Sequence, residues 1–354
     1  MGARGKARVA KVASPGAQRA VGRTARKSGK PLSGAAKKAV ADGYEKQAKR
    51  SDDGRRKSSR SAAAGRPAAG PARASVRLGS RSGGRSGDAR APRAQDRDRS
   101  LGGEQVEGRQ AVREVFLAGK RKVRELWIST ELEDAGIISD IVDLAAAARV
   151  PVTEVNRKRL DSAARSESPQ GVLAHVAPLE EVEFDQLLRK RAGRLPFILA
   201  LDGVTDPGNL GALLRTAEGA GVTGVVLPKH RAAHVTPTVA KSAAGAIEYL
   251  PMAVVPGLPT ALARAREKGI WIIGFDDDAE KTLFELGDFG RQPVMLVLGA
   301  EGAGLSRLVR ERCDLVLSIP MRGRLSSLNV SVAGALACYE IARQRSGGQD
   351  TDSG

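Results

Sequence analysis

Near the C-terminus, the stretch "RGRLSSLNVSVAGALACYEIAR" sets Ser326, Ser327, Asn329 and Ser331 between an arginine-flanked glycine loop and a segment of helical period. Leu328, Val332, Ala335, Leu336 and Tyr339 recur at i, i+4, i+7, i+8 and i+11, which predicts one apolar stripe on that helix. A single capping side chain is enough to start a helix. The remaining hydroxyls and amides are therefore available for a reactive site.

Two further stretches place polar and glycine residues where chemistry could occur. In "LDGVTDPGNLGALLRTAE", Leu210, Leu213, Leu214 and Ala217 form a buried helical stripe, with Asn209 read as the helix N-cap. At 100° per residue, Arg215 lies about 150° around the helix from that stripe, so it points away from its own core. A solvated pairing with Glu218 at i+3 is the simpler alternative. In "LVLGAEGAGLS", Gly299, Gly302 and Gly304 surround Glu301, and glycine permits positive φ and close backbone approach. The spacing is GxxGxG after a late strand, the first strand's loop has no GxGxxG, and GxxxxGK[ST] is absent. Neither a Rossmann cofactor site nor a phosphate-cradling loop is expected.

Metal chemistry has little support. Cys313 and Cys338 have no CxxC spacing, and His175, His230 and His234 form no ligand pattern, so no metal is expected. The cysteines read as small buried hydrophobes in a reducing compartment.

The elements that must position these loops follow from periodicity. From Leu195 onward, short apolar runs ("FILAL", "GVVLP", "MAVV", "IWIIGF", "VMLVLG", "LVLSIP") alternate with helical stretches such as "LPTALARAREKG". That pattern predicts an α/β domain with a parallel sheet covered on both faces, its ligands beyond the carboxyl ends of the strands. Ahead of it, a short helix and a strand at Val123 to Ile128 are followed by a helix over "AGIISDIVDLAAAARV". A strand at "PVTEV", a helix at "RKRLDSAA" and a strand at "GVLAHVAP" complete a smaller α/β unit. The expected organisation is a basic tail over 1–103, the small unit over 104–178 and a linker with some helical content over 179–194. The main domain follows over 195–346, and a disordered end over 347–354.

Together the three loops resemble the three signature motifs of the SpoU (TrmH-like) branch of the SPOUT methyltransferases. Here those motifs read "NLGALLRTA", "LGAEGAGLS" and "IPMRGRLSSLNVSVAGALACYE", in the family's order. The region 104–178, with "EGRQAV" and "PQGVLA", is similar to the family's small RNA substrate-binding domain of L30e type. The resemblance implies a deep trefoil knot and S-adenosylmethionine held at Gly299, Ile319, Met321 and Leu328. It also implies methyl transfer to a ribose 2′-oxygen of RNA. Arg215 would face the 2′-hydroxyl with Asn209 placing it, Glu301 would hold the arginine or shape its loop, and Ser327 and Asn329 would orient substrate and cofactor. By family analogy Arg215 is the proposed base; an arginine is a poor base, so either a substrate phosphate helps or Arg215 mainly stabilises the developing alkoxide, the favoured role. Arg322 and Arg324 would contact phosphates. The active protein would be a homodimer with its site at the subunit interface.

The segment "VTPTVAKSAAGAIEYLP" is most like enzymes that modify a guanosine in 23S rRNA. The alternatives are a tRNA 2′-O-methyltransferase, an rRNA methyltransferase conferring antibiotic resistance, or a non-catalytic RNA-binding assembly factor. The intact set Asn209, Arg215, Glu301 and Asn329 argues against the last.

The formal net charge of +18 is concentrated at one end. Residues 1–100 hold 27 Lys and Arg against 7 Asp and Glu, and the remainder holds 31 against 33. Tyr44 is the only aromatic residue in the first hundred, a composition that predicts disorder. The segment reads either as a solubilising tail or as an arm that binds nucleic acid by displacing counterions. No apolar run reaches the ~20 residues of a membrane span, and no signal-peptide h-region is seen, so a cytoplasmic protein is expected. Removing residues 1–100 should lower RNA affinity and flatten its dependence on salt, each lost phosphate contact lowering the slope by about one. Affinity measured against salt for both chains checks this, and an unchanged slope would leave the tail a bystander.

Overall fold

Short apolar runs separated by helical stretches build two separate sheets. The computed structural model describes residues 101–132, 136–191, 193–230 and 234–346. The expectations for 1–100 and 347–354 lie outside these.

Strands β1 (Gln105–Glu107), β2 (Val123–Ser129), β3 (Val152–Val155) and β4 (Val172–Val176) form the smaller sheet in the order β1-β4-β2-β3. The pair β2–β3 is parallel and the other two pairs are antiparallel. Helices α1 (Arg109–Ala118) and α2 (Gly136–Ala147) cover one face, burying Val112, Val115, Phe116, Ile141 and Leu144 completely. Helix α3 (Arg157–Ala163) seals the other face with Leu160 against Val155 and Leu173. Its N-cap Asn156 accepts a hydrogen bond from the Arg159 amide at 2.8 Å.

The larger sheet has seven strands, all paired in parallel. They are β5 (Phe197–Asp202), β6 (Gly224–Pro228), β7 (Met252–Val255), β8 (Trp271–Phe275), β9 (Lys281–Thr282), β10 (Val294–Gly299) and β11 (Leu315–Ser318). Their order is β7-β6-β5-β10-β8-β11-β9. Six of these strands match the expected apolar runs.

Both faces are buried, as predicted. Phe197, Leu199, Leu201, Leu296 and Leu298 point to one side, towards α5 (Pro207–Ala220) and α9 (Val330–Ser346). Ile198, Ala200, Met295 and Val297 point to the other. There they meet α4 (Phe184–Leu187), α7 (Leu258–Glu267) and α8 (Arg307–Arg310) through Leu187, Leu262 and Val309.

Several elements differ from expectation. Order starts earlier than residue 104. Leu101 is buried and its amide donates to the Leu179 carbonyl at 3.2 Å, because an apolar residue beside paired backbone has a core to join. Strands β1 and β9 are too short to show a period, at three and two residues. The segment 179–194 does more than connect. Leu187 fills the space over Gly224, where an added Cβ would lie 2.5 Å from a Leu187 methyl.

The last helix is turned relative to its apolar pattern. Its buried residues are Val330, Gly334, Ala337, Cys338 and Ile341. Of the expected stripe, Val332, Leu336 and Tyr339 remain 47%, 44% and 55% exposed. The cause is close contact with α5. A Cβ on Gly334 would come within 2.3 Å of Leu213, so only small residues fit that seam and the larger apolar ones face outward. Burial pushes the Cys313 and Cys338 thiols up to about 12, which fits packing rather than reactivity. No helix among the described residues is long and apolar enough to cross a membrane.

At the far end of α9, Arg345 donates to the carbonyls of Gly290, Leu195, Pro196 and Gln292 at 2.6 to 3.2 Å. Its guanidinium carbon also lies 5.0 Å from the Phe197 ring centroid. Burial, with Arg194 nearby, lowers its pKa to about 10. Replacing Arg345 with Met keeps the stem but leaves these carbonyls unmet. The expected loss is about 2–3 kcal/mol of unfolding free energy, read from denaturant unfolding.

Candidate active site

Strand β10 lies between β5 and β8, although the chain visits β6 and β7 after leaving β5. The loops leaving β5 and β10 therefore emerge side by side at the carboxyl edge, where parallel sheets bind ligands. The loop after β11 leads into α9, which packs on α5. These are the three loops singled out by residue type.

Helix α5 starts at Pro207, which suits a first helical position because it has no amide proton to satisfy. Asp206 is the N-cap, and its Oδ1 accepts from the Asn209 amide at 2.6 Å. The expectation that Asn209 caps the helix is therefore corrected. Asn209 lies inside the first turn, and with Asp206 taking the backbone donor its carboxamide is free for other partners.

Those partners lie on the two other loops. Asn209 Nδ2 donates to Glu301 Oε2 at 3.2 Å, and Asn329 Nδ2 donates to Asn209 Oδ1 at 2.9 Å. Asn329 Oδ1 accepts from the Ser331 amide at 2.9 Å and from its hydroxyl at 2.5 Å. The chain Ser331–Asn329–Asn209–Glu301 thus has a single polarity. At one end Ser331 supplies only donors to Asn329, and at the other Glu301 Oε2 is the acceptor. Each amide is oriented by its neighbours. Ser331 carries no role in the sequence reading, and the signal that points to it is its i+2 spacing from Asn329.

The glycine loop is held by carboxylates. Asp202 Oδ2 accepts from the Ser306 amide at 2.7 Å, and Asp276 Oδ2 accepts from the Leu305 amide at 3.1 Å. Ala300 and Gly304 exchange backbone hydrogen bonds at 3.1 and 3.0 Å. Gly302 and Gly304 have φ of 76° and 64°, a left-handed backbone that favours glycine. Gly299 is itself buried, and a Cβ there would lie 2.2 Å from the Gly304 carbonyl carbon. Its missing side chain makes room for the loop folded against it.

The remaining candidates are distributed around this centre. Ile319, Met321 and Leu328 are half-buried on the loop between β11 and α9, with Ile319 packed on the core. Ser327, Arg322 and Arg324 are exposed on the same loop and outside the hydrogen-bonded chain. Arg215 is exposed, with Leu210, Leu213, Leu214 and Ala217 all buried as predicted. Six residues beyond Asn209, it sits about 9 Å further along α5 and about 120° around it. Glu301 accepts instead from Asn209 on the neighbouring loop.

Comparison with known proteins gives these features a context. Residues 196–339 match the SpoU rRNA Methylase family, and residues 105–182 match the family described as RNA 2′-O ribose methyltransferase substrate binding. The chain is 42% identical to the 23S rRNA (guanosine-2′-O-)-methyltransferase RlmB of Pseudomonas aeruginosa, covering 68% of this chain and 97% of that protein. It is 41% identical to RlmB of Shewanella oneidensis, covering 67% and 96%. Among solved structures it resembles the SpoU methyltransferase AviRb of Streptomyces viridochromogenes bound to AdoMet. The TM-score is 0.59 at 28% identity, over 72% of this chain and 94% of that one.

Asn329→Asp separates the two uses of Asn329. Asp caps a helix as well as Asn does, so thermal stability should hold, whereas Asn329→Ala should lose about 1 kcal/mol. The Asp variant has no amide to offer Asn209. The Asn209 side-chain amide resonances should therefore shift in heteronuclear NMR spectra, and unchanged resonances would contradict the chain as described.

Proposed function

Because this chain belongs to the SpoU rRNA methylase family, we propose that it transfers a methyl group from S-adenosylmethionine to the ribose 2′-oxygen of a guanosine in 23S rRNA. The observation that carries this reading is the hydrogen-bonded meeting of Asn209, Glu301 and Asn329, one residue from each of three loops. A protein that had kept the fold only to bind RNA would have no use for such a polarised set. Relatives bearing the 23S guanosine name are matched over nearly their whole length, which supports an rRNA target.

The residues present fit the cofactor. Ile319, Met321 and Leu328 offer half-buried apolar surface on one loop at the carboxyl edge, suited to an adenosine. The backbone of the Gly299–Gly304 loop offers amides and carbonyls there. When bound, S-adenosylmethionine supplies a methyl group already activated on a positively charged sulfur. The protein's part is alignment and stabilisation of charge on the attacking oxygen. The Arg215 guanidinium donates to the 2′-oxygen as negative charge develops, and the proton that this oxygen gives up passes to a substrate phosphate or to water. Asn209, Asn329 and Ser331 form a rigid polar wall anchored by Glu301, and Ser327 orients the substrate beside it. Arg322 and Arg324 hold phosphates without specifying sequence.

The same reading takes 104–178 as an L30e-like RNA-binding domain, 179–194 as the connection and 195–346 as the catalytic domain. It takes the basic segment ahead of Leu101 as a nucleic-acid-binding tail. It also includes a trefoil knot, supported by α9 returning from β11 to pack on α5 and by Arg345 reaching back to Leu195. The working form is a soluble, cytoplasmic homodimer. In support, α9 presents Val332, Leu336 and Tyr339 to solvent beside α5. The Tyr339 hydroxyl lies 3.1 Å from a Cβ built on Gly219, so the two helices form one surface. A second copy on this surface covers the apolar stripe and brings Arg215 to the partner's Asn209–Glu301–Asn329 cluster.

Arg215→Ala should lower methyl transfer at least about 100-fold while calorimetry shows unchanged S-adenosylmethionine affinity. Asn209→Ala should also be inactive. Mixing the two inactive chains should restore part of the activity, because one site in each mixed dimer carries both residues. Near-normal turnover by Arg215→Ala would return that residue to a solvated helix position. Absence of rescue would place the whole site in one chain. Mapping the methylated nucleotide in rRNA and tRNA identifies the substrate.

A further inference from the structure

The segment from Val235 to Leu250 has no part in the hydrogen-bonded chain or the cofactor bed, yet it touches both units of the protein. On one side it lies flat on α5. A Cβ on Gly211 would meet Ser242 at 2.3 Å, the Val239 carbonyl at 2.9 Å and the Ala243 amide at 3.0 Å. Only glycine lets α6 (Pro237–Ser242) approach α5 this closely. On the other side the segment meets the small unit. Gly245, at φ 82°, would carry a Cβ 2.3 Å from that of Glu114 on α1. The Tyr249 hydroxyl donates to Glu114 Oε2 at 2.8 Å, and Val235 forms a parallel bridge with Gly102.

A buried ion pair lies at the centre of this seam. Glu248 and Arg121 are 2% and 6% exposed. Arg121 donates to both Glu248 oxygens, from Nε at 2.9 Å and from Nη2. Its Nη1 donates to the Gly103 carbonyl at 2.7 Å and the Ala177 carbonyl at 2.9 Å, the backbone entering and leaving the small sheet. One guanidinium therefore ties both ends of the small unit to the segment lying on α5. Burying such a pair is costly and brings little net stability, but its geometry is exacting. One apolar core runs through the junction, from Val106 and Phe116 to Leu210 and Val239.

We infer that residues 235–250 are a rigid wedge, and that Arg121 and Glu248 are positioning residues for substrate selection. They fix the small unit to the helix carrying Asn209 and Arg215. The target nucleotide is then chosen by a set distance between RNA held on the small unit and the reactive ribose. The inference rests on the methyltransfer reading above.

The test compares the full chain with Glu248→Gln, which leaves Arg121 without a counter-charge, and with the milder Tyr249→Phe, which removes one bond across the seam. Small-angle scattering reports how far the units separate, and methylated positions are mapped on a long 23S rRNA fragment with kcat and KM measured. Both variants should bind S-adenosylmethionine like the unaltered chain. Glu248→Gln should raise KM for the rRNA at least tenfold with little change in kcat and spread methylation to neighbouring riboses, and Tyr249→Phe should do the same to a smaller extent. Should Glu248→Gln not fold, the Tyr249→Phe comparison decides alone. If scattering shows a loosened seam while the same nucleotide is methylated at the same KM, the wedge has no part in selection. If the unaltered chain methylates no RNA, the reading of the function fails first.

Discussion

The placement of β10 between β5 and β8 governs the rest of the structure. Without that insertion the loop carrying Glu301 would emerge away from the helix carrying Asn209, and the 3.2 Å contact between them could not form. The insertion requires a strand buried on both faces, and β10 is fully buried along its length. It also requires the chain to travel out to β7 and back before returning to the centre. Asp202 and Asp276, at the carboxyl edge on either side of β10, then hold its loop through backbone amides.

Legibility in the sequence followed physical range. Strands of four to six residues with apolar side chains on both faces were readable, because burial dictates residue type directly. The stripe of α5 was readable for the same reason. The cap of α5 was misread because two residues could serve. Asp206 precedes Pro207, and a proline favours the first helical position, so that dipeptide was the better signal. The contact between Asn209 and Glu301 joins residues far apart in the chain, and periodicity carries no information on that scale. Family resemblance named Asn209, Glu301 and Asn329 without showing that their side chains meet.

The outward turn of α9 shows a limit of hydrophobic patterning. A helix is expected to bury its richest apolar face. Here the inner face must pass close to Leu213 and Leu298, so it is built from Gly334, Ala337 and Cys338, and the larger residues are left outside. Small residues line the seam with α5, and the larger Val332, Leu336 and Tyr339 are left exposed. Arg121 with Glu248 follows a related rule, in that a charged pair has been buried where direction matters more than net stability.

Arg345 also links the two ends of the larger unit. The residue lies at the end of the last helix and holds the carbonyls of Leu195 and Pro196, where the larger sheet begins. The first and final segments of the larger unit close on each other, and Asn329 lies at the other end of the same helix. One helix therefore works as a strut between the back of the sheet and its carboxyl edge, and a slide of α9 along its axis would strain the Arg345 contacts and the Asn329–Asn209 bond together.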